Sequence, residues 1–427
     1  MILRLLVILI IAWCLLRAGL LTLAWNGNPD PAAQTRVLQH FTSEDIQKGR
    51  DYAHQGFWAK VSFGYVQVAL FLLLILTGFS GKMFDRITAW WGGATPDAGV
   101  GFWLPSLLFL LAFFFLLQLI ALPFQFYLGY WCEKAAGFST MTVDQWFWTF
   151  LKKTAIGMAL QIPIILSLIW VLRSFPRFWP FLIPLLTAGF SIVMTLLFPI
   201  LITPLFYEQK PLAEGPLRTR ILEIAATSKV PVEDIYEIDE SRYSKHTNAY
   251  FTGLFSKKRI VLYDTLVKSH TVEEAALIFA HEVGHWLHDH VRIGLTLAFL
   301  GTLGGCLAAW WLFPFLRAEP ALYLREIWHP VNLPFAMLLG TLLTLFFAPV
   351  EAQISQHFER QADRASLELT GNTKVFIDAE VRLARDNHSE LLPHPFRVFW
   401  LYSHPPAIDR VQMALDNKPP TTPEPGK

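Results

Sequence analysis

Apolar residues fall into seven blocks along the chain, separated by stretches where charged and polar side chains return. The blocks cover roughly residues 2–25, 61–79, 102–122, 154–172, 181–201, 293–315 and 333–354. Each is close to the run of about 20 apolar residues that a helix needs to cross a bilayer core. Arg4 flanks the first block and Arg17 interrupts it, and no clear small-residue cleavage site follows, so it reads as an anchor rather than a removed leader. Pro123, Pro163, Pro184 and Pro199 lie in or beside the blocks, where neighbouring helices can satisfy the carbonyls they free.

The expected fold class is therefore mostly α: a polytopic membrane protein of about seven transmembrane helices. Two polar regions are large enough to fold outside the bilayer, one from about 207 to 290 and one from 355 onward. The division expected is 1–206 (five spans), 207–290 (a catalytic region), 291–354 (spans six and seven), 355–416 (C-terminal helices) and a Pro- and Thr-rich disordered tail, 417–427. Spans six and seven cross the membrane twice, so the two polar regions lie on one side and can share a site. Lys and Arg divide evenly between the short loops of both sides, so the positive-inside rule is silent on which side that is.

Composition agrees with the blocks. The chain is 53% hydrophobic and only 16% charged, too few charges to cover a water-facing surface of this size. A net charge of +1 gives no reason to expect a nucleic-acid partner. Cys14, Cys132 and Cys306 are scattered in or beside apolar blocks and read as buried free thiols.

The chemistry centres on His281-Glu282-Val283-Gly284-His285. Thr271 and Glu274 form a capping box ahead of the apolar run 275–280, which makes the motif helical. Residues four apart share a helix face, so both imidazoles can ligate one Zn²⁺, while Glu282 stands beside the metal to take a proton from water. A third protein ligand is needed. Glu359 is the best candidate, because it directly follows span seven on the side topology requires. Asp363, one turn on, suits a hydrogen bond to a ligating histidine. His288 and His290 are rivals, but three ligands within two turns of one straight helix rarely close a tetrahedral site, so both read as interfacial polar residues. The zinc helix runs almost without a break into span six, which puts the metal at the membrane boundary.

Further segments resemble the integral-membrane CaaX prenyl protease 1 family, the type I prenyl-CaaX endopeptidases. Asn248-Ala249-Tyr250-Phe251-Thr252-Gly253 and the run 257–266 are similar to its segment before the zinc helix, and Thr203-Pro204-Leu205-Phe206 to the end of its fifth span. Tyr402-Ser403-His404-Pro405-Pro406 matches its C-terminal motif. The resemblance covers about 45–415. It implies that His281, His285 and Glu359 bind zinc, that Glu282 is general base and later acid, and that Asn248 and His404 steady the tetrahedral intermediate. It also implies a small α+β zincin-like catalytic region with a short β-hairpin, and a hollow helical chamber. One departure stands out: the family usually carries Ser-Arg shortly before the third ligand, where this chain has Ser355-Gln356-His357.

The expected partners are a lipid bilayer and a peptide or protein substrate, prenylated or not, with the chain itself a monomer. Lacking a C-terminal dilysine signal and having a compact soluble region, the chain fits a bacterial cell membrane, with the endoplasmic reticulum as the alternative. Two other readings compete: a broad-specificity quality-control protease of the HtpX type, which has about four spans, and a transporter or receptor with a structural metal site. The latter has no use for Glu282.

Overall fold

The structure, a computed structural model, describes residues 2–26, 35–91, 99–252 and 258–416. The expected tail, 417–427, lies outside them, as does the turn of the expected hairpin. Among the described residues, seven helices are long and apolar enough to cross a membrane, one for each apolar block. They are α1 (Ile2–Asn26), α2 (Ser43–Leu76), α4 (Val100–Phe126), α5 (Val143–Ser174), α6 (Trp179–Leu197), α9 (His290–Arg317) and α10 (Leu333–Thr370). The short α3 (Phe79–Trp90) links α2 to α4. Several helices far outrun their apolar blocks. At 1.5 Å per residue, the 38 residues of α10 reach about 57 Å, roughly twice the bilayer core. The surplus of α10 is polar and stands outside the membrane.

The soluble part begins with β1 (Gln209–Pro211), α7 (Pro216–Thr227), β2 (Val232–Ile238), β3 (Ala249–Thr252) and β4 (Lys258–Tyr263). The strands form one sheet in the order β1-β2-β4-β3, with β2 and β4 parallel and the outer pairs antiparallel. The expected hairpin pair is thus β3–β4, with Ala249 opposite Leu262 and Thr252 opposite Arg259. β3 is an edge strand, so among the described residues its outer backbone groups have no strand partner. Helix α8 (Val272–Leu287) carries the zinc motif, and α11 (Thr373–Asp386), α12 (Pro395–Leu401) and α13 (Ala407–Asp416) complete the fold.

Apolar clusters hold these parts, three of them the largest. Ile221, Ile235, Ile260, Leu262, Phe279 and Val283 bury the sheet and α7 against α8. Leu277, Leu367, Phe376, Ile408 and Val411 pack the C-terminal helices on the other flank of α8. Within the spans, Phe71, Phe109, Leu110 and Phe113 form the core. The cysteines are free, but only Cys132 is buried; Cys14 and Cys306 are half-buried, because their helices turn one face outward.

Candidate metal centre

Helix α8 starts where the sequence says. Glu274 N–H donates to Thr271 Oγ1 at 3.3 Å, and Thr271 N–H donates to the Glu274 carboxylate at 2.7 Å. Ala275, Ala276, Phe279, Ala280 and Val283 are buried, which turns His281, Glu282 and His285 toward a cleft. The opposite wall is α10. Its approach is close at one point: a Cβ on Gly284 would stand 2.7 Å from Ala362 Cα and 2.9 Å from Ala362 O. Only glycine fits there, and the contact brings Glu359 and Asp363 of α10 against the two histidines.

His281, His285 and Glu359 each offer one ligand atom, and these atoms lie within 4.8 Å of one another. His281 Nε2 is 3.1 Å from His285 Nε2 and 3.2 Å from Glu359 Oε2, and His285 Nε2 is 3.5 Å from Glu359 Oε1. Ligands about 2.0 Å from a tetrahedral zinc stand about 3.3 Å apart, so the spacing fits such an ion. Glu359 Oε2 is moreover buried without a hydrogen-bond donor, as suits a metal ligand. The group fits the residues present.

Each histidine is oriented through its other nitrogen. In the neutral ring His281 Nδ1–H donates to Asp363 Oδ1 at 2.9 Å, which leaves the Nε2 lone pair free to ligate. Asp363, fully buried, is gripped by Arg410 from α13, whose Nε donates to Oδ2 at 2.8 Å and whose Nη2 donates to Oδ1. Arg410 also pairs with buried Glu380 of α11 at 2.7 Å. Neither Arg410 nor Glu380 is visible as a site residue in the sequence. Burial pushes the Glu380 carboxyl up to about 7 against the pull of Arg410.

The second orienting contact corrects two expectations. The zinc helix does not continue into span six: α8 ends at Leu287, and Asp289 takes a left-handed conformation, φ 56°, before α9 begins. Aspartate tolerates that conformation better than most residues. The break folds His290 back under the site, buried and stacked on Phe358 with centroids 4.1 Å apart. His290 Nδ1 lies 2.9 Å from His285 Nδ1, and His290 Nε2 lies 2.9 Å from Gln361 Oε1. If Nε2–H donates to the glutamine oxygen, Nδ1 accepts from His285 and leaves His285 Nε2 bare. His290 is thus no interfacial residue but a buried partner of His285. His288 is exposed.

The two imidazoles sit in different electrostatic surroundings. Burial opposes protonation of His281, but the carboxylates of Asp363 and Glu359 outweigh it and raise its pKa to about 10. Burial and the neighbouring His281 push His285 down to about 4.

A cavity of about 560 Å³ opens beside His281 and Glu359, lined among others by Glu282, Asn248, Tyr263, His404 and Arg410. Asn248 directly precedes edge strand β3. Its Oδ1 accepts from Ala249 N–H at 2.8 Å, which leaves the amide NH₂ as the end available to a ligand. His404 Nε2 is 3.4 Å from Glu359 Oε1, and its Nδ1 is 2.8 Å from Ser403 Oγ. Gln356 takes over at the departure from the family pattern: its buried amide donates to Val398 O and Tyr402 O at 3.0 and 2.9 Å, tying α10 to the chain entering His404. On the far side, Glu133 accepts from Tyr52 and holds His246, whose Nδ1 meets Asn387. Thr247 N–H donates to the same Asn387 oxygen, and these contacts anchor the two residues before Asn248.

A histidine pair and a glutamate whose ligand atoms converge, a further glutamate beside them, and seven spans among the described residues define a multi-pass membrane metalloendopeptidase. Residues 211–418 match the model of Peptidase family M48, and residues 29–208 match that of the CAAX prenyl protease N-terminal region, described as five membrane helices. The chain belongs to this CAAX prenyl protease family of M48 metallopeptidases. It is 30% identical to the CAAX prenyl protease 1 homolog of Oryza sativa subsp. japonica, over 90% of this chain and 91% of that protein. A Bacillus subtilis relative, the uncharacterized metalloprotease YhfN, is 29% identical over 81% of this chain and 79% of its own length. The crystal structure of S. mikatae Ste24p superposes with a TM-score of 0.80 at 26% identity, covering 95% of this chain and 97% of that one.

Proposed function

We propose that the metal is zinc, held by His281, His285 and Glu359, and that the chain cleaves C-terminal peptides of prenylated CaaX-type substrates, releasing the last three residues. The observation that carries this reading is the convergence of the three ligand atoms within 4.8 Å beside a cavity lined by His281, Glu282 and Glu359. When bound, zinc acidifies water and polarises the scissile carbonyl. Glu282 takes the water proton and later delivers it to the leaving amine. Asn248 NH₂ and the His404 imidazole face the developing oxyanion, and Asp363 and His290 keep the ligating histidines in register. The substrate backbone adds to β3, whose outer edge is open, by strand pairing.

The relatives' names supply the CaaX substrate class. Physically, a lipid that stays in the bilayer suits a site at its boundary, each buried CH₂ contributing about 0.8 kcal/mol. Five spans precede α8, which disfavours the four-span quality-control type. Residues 1–206, 207–290, 291–354 and 355–416 serve as span bundle, catalytic region, second span pair and ligand-bearing helices. A bacterial cell membrane is the proposed location and a monomer the proposed state. Cleavage of a farnesylated CaaX peptide in detergent should outpace that of its unprenylated twin; equal rates, with efficient cutting of unrelated membrane-protein loops, would remove the CaaX assignment and leave the metalloprotease.

A further inference from the structure

A second cavity, also about 560 Å³, lies behind the His404 loop. Ser389, His404, Pro405 and Ala407 line both this cavity and the catalytic one, so the two are neighbours. The second differs in charge. Arg17 of α1 and Lys60 of α2 both line it. Arg17 is 5% exposed; its Nη1 donates to Tyr65 OH at 2.9 Å, and its guanidinium lies over the rings of Tyr65 and Trp400. Its Nε is buried without a partner. The cavity's own carboxylate cannot serve. Glu390 is gripped at both oxygens by Arg397, at 3.0 and 2.6 Å, and accepts from Tyr402 OH at 2.6 Å. Among the described residues, neither Arg17 nor Lys60 forms an ion pair with a carboxylate; Lys60 acts on Glu133 and on the Cys132 thiol, both from farther off.

A guanidinium buried in a membrane-spanning helix is costly unless an anion meets it. The catalytic cavity offers no spare guanidinium, because Arg410 is committed to Asp363 and Glu380. We propose that Arg17, with Lys60, forms a subsite for the free α-carboxylate at the substrate's C-terminus. The inference rests on the reading above, that cleavage falls three residues from the end. Three extended residues reach about 10 Å, a span suited to a cavity one loop away from the metal. A carboxylate held there fixes the distance from the chain end to the scissile bond, so the subsite acts as a ruler.

The test compares a farnesylated CaaX peptide as free acid and as C-terminal carboxamide, on the intact protein in detergent. Loss of a charge-assisted hydrogen bond predicts that the free acid is preferred about 10-fold or more in kcat/KM, mostly through KM. In Arg17→Gln that acid-to-amide ratio should fall toward one, and Arg17→Lys should restore part of it. Lys60→Met should lower the ratio independently, which keeps the proposal testable if Arg17→Gln fails to fold. A wild-type ratio of one, or variants that slow both peptides equally, would overturn the subsite. So would phospholipid co-purifying with wild type but not with Arg17→Gln, with both peptides cut alike, since the anion would then be a lipid headgroup. No cleavage of either peptide would instead count against the proposed function.

Discussion

Gly284 of the zinc motif and Ala362 of the last membrane-crossing helix touch backbone to backbone, with room for no side chain between them. That contact sets the separation of α8 and α10, and with it the distance from the two histidines to Glu359 and Asp363. Gly284→Ala should force the helices apart. Overpacking at such a site costs about 1–3 kcal/mol, so a lowered Tm should accompany reduced metal content. Full metal occupancy at unchanged Tm would show that the pair does not set the site.

His290 reaches His285 through Nδ1, the nitrogen turned away from the proposed metal position. Removing such an orienting partner typically costs 10- to 100-fold in metal affinity, so His290→Ala should weaken zinc binding by about that factor. Competition against a chelator of known affinity measures it directly. His288→Ala, at an exposed position, should leave affinity unchanged.

His246 supports Asn248 from behind. Burial disfavours its charge, but Glu133 and Asn387 outweigh burial and hold its pKa above the ordinary 6.5. A proton bound more tightly in the folded state stabilises fully below pH 6.5, and the gain is lost as pH rises through the raised value. Glu133→Gln should therefore cost more stability near about pH 6 than near about pH 9. Denaturant titrations at both pH values check the sign; an equal loss at both would remove the charge from the account.

The sequence made some of this legible and hid the rest for physical reasons. Lipid has no water to satisfy backbone groups, so the spans advertise themselves as apolar blocks and all seven are found. A spacing of four puts His281 and His285 on one face of any helix, and chain topology alone brings Glu359 to them. His290 is different. On a straight helix it would lie about 140° around from His285, and only the left-handed turn at Asp289 brings the two rings together. Arg410 and Glu380 come from two short C-terminal helices whose burial against Asp363 is a tertiary fact. The three-residue β1 and the parallel β2–β4 pairing leave no periodic signal either. Gln356, a departure from the family pattern in sequence, proves to hold the His404 loop by neutral hydrogen bonds.

Asn248 and His404 both line the cavity, one just before the edge strand and one after α12. The proposed oxyanion role predicts a loss of about 100-fold or more in kcat on conversion of either to alanine, with zinc content preserved. An effect confined to KM would make them substrate-positioning residues.

The central claim is that His281, His285 and Glu359 hold one catalytic zinc on whose water Glu282 acts. The most direct test measures zinc per chain alongside peptide hydrolysis in purified Glu282→Ala and Glu359→Ala. The account predicts one zinc and no hydrolysis for Glu282→Ala, and neither zinc nor hydrolysis for Glu359→Ala. Full zinc occupancy in Glu359→Ala, or hydrolysis surviving in Glu282→Ala, would contradict it.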